Sequence, residues 1–117
     1  MSDFVIIENL KELIRKAMIY AEKAHDLIFE ENTDNSIAIA YLNISASKFA
    51  SAEALYYSNL DILERDEAEQ IFHTFEIFAE ELLENCQTAH SHQWTDIEFQ
   101  RLKDCFDYSV FAFENVK

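Results

Sequence analysis

Apolar side chains recur every three or four residues through most of the chain, the spacing that lines one face of an α-helix. Over residues 3–31 the stripe is Ile6, Leu10, Leu13, Ala17, Tyr20, Ala24 and Leu27, with Lys11, Arg15, Glu22 and Asp26 opposite. Asn32 suits the left-handed cap more often given to glycine, and Thr33 or Asp34 suits the N-cap of a second helix. That second helix, over 35–58, is apolar all round. Ile37, Ala38, Ile39, Ala40, Tyr41, Leu42 and Ile44 lead into Ala46, Phe49, Ala50, Ala52, Ala54 and Leu55, and only Lys48 and Glu53 carry charge. A helix without a wide polar face is expected to be surrounded, at the centre of a bundle or against another subunit.

The clearest break follows at Ser58–Asp61, with Asn59 as a C-terminal cap. Asp61 with Glu64 resembles a capping box, and Asp66 with Glu69 is a second start signal. The third helix is expected over 61–90, with Ala68, Phe72, Phe75, Ala79, Leu82 and Cys86 facing the core. Ser91 to Trp94 read as a turn. Thr95 with Glu98 forms another capping box, opening a fourth helix over 95–116 whose stripe is Phe99, Leu102, Phe106, Ser109, Phe113 and Val116. Short connections favour antiparallel neighbours, so the expected fold is all-α: a single-domain antiparallel four-helix bundle.

Composition strengthens this reading. The 117 residues include no glycine and no proline, where average usage would supply roughly fourteen. Their absence favours long helices with turns capped by other residues. It also removes phosphate-binding loops, dinucleotide fingerprints, nucleophile elbows and calcium loops, all of which need glycine where backbone meets ligand. Half of the residues are hydrophobic, enough to build a core.

Charge narrows the partners. Twenty-three acids against nine bases leave a formal net charge of −14, which opposes binding to nucleic acid or an anionic membrane. A basic protein partner, a cation, or solubility through self-repulsion remains compatible. No secretory signal is apparent near Asp3 and Glu8. The longest uncharged run, Asn35–Ser47, is too short and polar to span a bilayer. Cys86 and Cys105 fit a reducing, cytoplasmic compartment. On antiparallel helices they would be offset by about 9 Å along the axis, beyond disulfide reach.

The sharpest polar pattern lies on the third helix. Glu69, His73, Glu76, Glu80 and Glu84 share a narrow sector opposite Phe72 and Phe75. The segment Asp61–Glu84 holds nine acids and one base, Arg65. Like charges four residues apart weaken an isolated helix, so this ridge is either a solvated face or a docking surface for a basic partner. Tyr108 and Phe111 point away from the fourth helix's stripe and are candidate apolar anchors. With the small-residue face of the second helix, they would mark a partner or homodimer interface.

The leading expectation is therefore a non-enzymatic adaptor, immunity-type inhibitor or nucleic-acid-mimicking regulator of a basic partner. It requires no cofactor. The alternative is a metal-dependent bundle enzyme using Glu22, His25, Glu53, Glu69, His73 and Glu76. Glu22 and His25 have the Glu-x-x-His spacing of di-iron bundles, but that class needs two such pairs. His90 and His92 could pair on a metal, but with no other cysteine or histidine in that segment a polar turn accounts for them better. No local sequence arranges a nucleophile with a base.

Overall fold

A computed structural model describes residues 2–30, 35–88 and 92–113. Within these, the chain forms α1 (Asp3–Ile28), α2 (Asn35–Ser58), a one-turn α3 (Leu60–Leu63), α4 (Asp66–Thr88) and α5 (His92–Asp107), with no strand among the described residues. The fold is an all-α bundle of four long helices measuring 47 × 34 × 21 Å. Each long helix runs antiparallel to the next. Tyr20 stacks on Tyr41, Phe49 meets Phe72 and Phe75, Phe78 meets Phe99, and His25 on α1 closes the ring against Phe99 on α5.

Small residues line the seam between α1 and α2. Ala17, Ala21 and Ala24 on α1 and Ala38, Ser45 and Ala52 on α2 are all fully buried. Ser45 donates a 2.7 Å hydrogen bond to the Ala17 carbonyl oxygen. The second half of the bundle is built on large rings instead: Phe72, Phe75, Phe78, Phe99 and Phe106 are buried between α4, α5 and the first hairpin.

Several expected boundaries shift. α1 ends at Ile28 with Phe29 as its cap in right-handed geometry, rather than running to 31. The proposed caps Asn32, Thr33 and Asp34 lie outside the described residues. The buried stripe of α1 also includes Ile14, Met18, Ala21 and Ile28, while Leu13, Tyr20 and Leu27 are only half-buried. This rotation follows from packing on two neighbours, α2 and α5, which widens and turns the buried arc. On α4 the core adds Ile71 and Phe78, leaving Ala79 and Cys86 half-buried.

The third expected helix is split. Leu60–Leu63 makes one turn, and α4 begins at Asp66, the second of the two start signals. Asn59 does not take the left-handed conformation. Its side-chain amide instead donates to the Leu55 carbonyl at 2.9 Å, supplying one of the hydrogen bonds that the end of α2 leaves open.

The fourth helix begins at His92, so His92–Trp94 are helical rather than a turn; Ser91 lies outside the described residues. Thr95 is not an N-cap. It is wholly buried inside α5, where its hydroxyl oxygen accepts a hydrogen bond from the Asn85 amide at 3.2 Å. Residue type alone fits a cap, but tertiary burial recruits Thr95 to pair a polar side chain across the helices. At the other end α5 stops at Asp107 instead of 116, and the Ser109 hydroxyl closes a turn by donating to the Phe106 carbonyl at 2.6 Å. Phe113 is consequently half-exposed, and Val116 lies outside the described residues.

α2 is not surrounded. It buries Ala38, Leu42, Ser45, Phe49, Ala52 and Tyr56, but leaves Ile37, Ile44, Tyr57 and a row of alanines and serines in solvent. Among the described residues, no helix is long and apolar enough to cross a membrane.

Candidate partner-binding surface

The acidic face of α4 follows from the helix's own composition. No lysine or arginine falls between Arg65 and Arg101, so α4 carries acids without any guanidinium or ammonium of its own. Ala68, Phe72, Phe75 and Leu82 turn inward. Glu69, His73, Glu76, Glu80 and Glu84 consequently stand outward, and all five are exposed. Asp66, Glu67 and Glu69 occupy the first turn, where the helix dipole favours negative charge. No such compensation reaches Glu76 and Glu80 farther along.

The face extends across the seam to α2. Glu53 is half-buried there, and its carboxyl is pushed above its ordinary pKa, first by burial and then by repulsion from Glu76. At the other end Glu69 has a structural task. Tyr56, fully buried on α2, donates to the Glu69 carboxylate at 2.8 Å, while its oxygen accepts from the Arg65 backbone N–H at 3.1 Å. This bond brackets the α3–α4 corner to α2. Burial and the negative charges of Glu69 and Glu64 drive the phenol up to about 12, although the Arg65 backbone contact pulls it the other way.

Tyr108 and Phe111 separate. Tyr108 is 89% exposed, as an anchor would be, but Phe111 is only 3% exposed and belongs to the core. The helical wheel placed Phe111 outward, yet α5 has already ended, and the following turn swings its ring inward. Arg15 secures that turn, its Nε donating to the Phe111 carbonyl and an Nη to the Ala112 carbonyl, each at 2.9 Å. Glu67 accepts from the Val110 backbone N–H at 2.9 Å. Beside Phe111 a cleft of about 250 Å³ is lined by Ile7, Leu10, Leu63 and Val110, with Lys11 and Arg65 at its rim. Both bases already have acidic neighbours, Glu8 and Glu67.

The alternative metal set is dispersed over different surroundings. Glu22 is exposed, and Glu69 is held by Tyr56. His25 is only 9% exposed. Its Nδ1 lies 2.9 Å from Asp26 and its Nε2 lies 2.8 Å from Asp96 on α5. Its ring stacks on Phe99 with centroids 4.2 Å apart. Among the described residues, no group of three or more histidine, cysteine or acidic side chains is arranged to hold a metal ion. Asp96 lies 71 positions from His25, so no local pattern could have indicated the pairing.

His92 makes an edge contact with Phe29, and His90 lies outside the described residues. Cys86 and Cys105 are free and half-buried, and burial pushes the Cys86 thiol up, which lowers its reactivity. Compared with known proteins, the chain matches no family model, no curated protein and no solved structure.

Proposed function

We propose that this protein acts without catalysis, by docking a basic protein partner against the acidic face of α4. The observation that carries this reading is the exposed row Glu69, His73, Glu76, Glu80 and Glu84, continued onto α2 by Glu53. Negative charge concentrated on one face steers a positively charged partner and fixes its orientation. Such a partner includes a nucleic-acid-binding protein whose basic groove the carboxylates occupy in place of phosphates. Tyr108 supplies an exposed aromatic contact, while Phe111 acts only by shaping the turn that presents it. Both cysteines are free, in keeping with a cytoplasmic setting.

Affinity capture at low and moderate salt, followed by mass spectrometry, tests this function. A basic partner retained at low salt, weakened at moderate salt and lost on Glu76→Lys with Glu80→Lys is expected. Capture that is indifferent to both substitutions would remove the face from the mechanism.

A second reading rests on α2. Among the described residues its outward side carries no exposed charge, and it exposes Ile37, Ile44 and Tyr57 beside alanines and serines. We propose that two copies pair through this face as a homodimer, where charge repulsion between acidic chains is smallest. Sedimentation equilibrium would show a dimer that Ile44→Glu dissociates; a monomer at every concentration would sink this reading.

A further inference from the structure

The His25 site contains an electrostatic relationship independent of the docking face. The ring is almost entirely buried, and each of its nitrogens lies within hydrogen-bond distance of a different carboxylate. A neutral imidazole has one N–H and one bare acceptor nitrogen, whereas the imidazolium has two donors. Asp26 and Asp96, as carboxylates, can only accept. The observed arrangement is therefore fully satisfied by the charged ring. The neutral ring must leave a nitrogen lone pair facing carboxylate oxygen at 2.8 or 2.9 Å.

The position of the pair makes this consequential. Asp26 neighbours His25 on α1, but Asp96 belongs to the first turns of α5, so the Nε2 contact fastens one helical hairpin to the other. The other groups around the ring do not duplicate this link. Glu22, one turn before His25 on α1, and Lys103 on α5 both border Phe99, and His92 meets the ring of Phe29. On α4, Asn85 bonds the neutral Thr95. The facing stretch of α2, Asn35–Ser47, bears no charge.

We propose that His25 is a pH-sensitive bolt, which fastens the start of α5 to the end of α1 when its ring is charged and loosens that junction when the ring is neutral. Charge-assisted hydrogen bonds are roughly twice as strong as neutral ones, so deprotonation weakens the contact even where one N–H survives. Asp26 is the more exposed carboxylate and can swing into solvent. The loss at Asp96 is then that of the charge, and it releases the α5 terminus locally while the Phe99 and Phe106 core persists.

Trp94, the sole tryptophan, lies two residues from Asp96 and reports directly on this end of α5. Its fluorescence, followed between about pH 5 and 8 where histidine ordinarily changes charge, is expected to show one transition. Amide exchange at residues 93–97 should accelerate on the order of tenfold on its neutral side. His25→Gln should abolish the transition, and His92→Gln should retain it. Ring-nitrogen NMR shifts of His25 in the unmodified protein provide a check that needs no variant, and their midpoint should coincide with that of Trp94. A missing transition, a transition that survives His25→Gln, or a His25 midpoint different from that of Trp94 would overturn the proposal.

Discussion

Tyr56 donates its hydroxyl proton to Glu69 across 2.8 Å, so one carboxylate of the acidic face also holds the bundle together. Stability and docking can therefore be separated within a single row of glutamates. Tyr56→Phe retains the buried ring but strips the partner from Glu69 and from the Arg65 backbone N–H. It should destabilise the fold by roughly 1–3 kcal/mol in urea denaturation. A loss below about 0.5 kcal/mol would show that water replaces the hydroxyl without cost.

The same contact fixes an alkaline signature. The folded phenol is raised to about 12 from its ordinary 10.0, so its contribution to stability is complete below the unfolded value and lost as pH rises through the folded one. Ultraviolet titration should resolve one tyrosine of the five ionising late, coincident with alkaline unfolding. That late component should be missing from Tyr56→Phe.

Glu53 has the same sign at the acid end. Its carboxyl is raised above 4.5 by burial and by Glu76, so the fold gains from its protonated form. That contribution is present below the unfolded value and disappears as pH rises through the folded value. Glu53→Gln should thus raise the urea midpoint at about pH 7 and change it little at about pH 4. An equal gain at both values would assign the effect to packing instead of charge.

Phe111 and Tyr108 should respond oppositely to truncation. Phe111→Ala empties a buried position and should cost about 3–5 kcal/mol. Tyr108→Ala should stay within about 0.5 kcal/mol, because its side chain is solvated. If Tyr108 also contacts the partner, its substitution should weaken capture while leaving thermal unfolding unchanged.

The α1–α2 seam makes a packing prediction. Ser45→Ala loses one buried hydrogen bond to Ala17 and should cost about 0.5–1.5 kcal/mol. Ala17→Leu forces the helices apart and should cost about 1–3 kcal/mol or more. An Ala17→Leu cost below that of Ser45→Ala would show that the seam relaxes readily, contrary to the full burial of its small residues.

Periodicity made much of this arrangement legible. Leu10, Ala17, Phe72, Phe75, Phe99 and Leu102 all lie where a 3.6-residue repeat places them, because burial on one face requires apolar spacing that can be read locally. The outward row on α4 was legible for the same reason. Phe111 was not, since the wheel holds only while the helix continues, and α5 stops at Asp107. Thr95 misled as a cap because residue type signals a helix start but says nothing of Asn85 across the bundle.

The long helical segments, their antiparallel order and the sign of their charge are readable locally, since they depend on spacing, turn length and composition. Without glycine or proline the sequence also confines the candidate sites to helix faces. Which of those faces are covered depends on how whole helices pack. That packing leaves α2 open on one side, draws Phe111 inward under Arg15, and sets His25 between Asp26 and Asp96. Those outcomes depend on contacts between residues as many as 97 positions apart, as for Arg15 with Ala112, and the packing of whole helices brings such groups together.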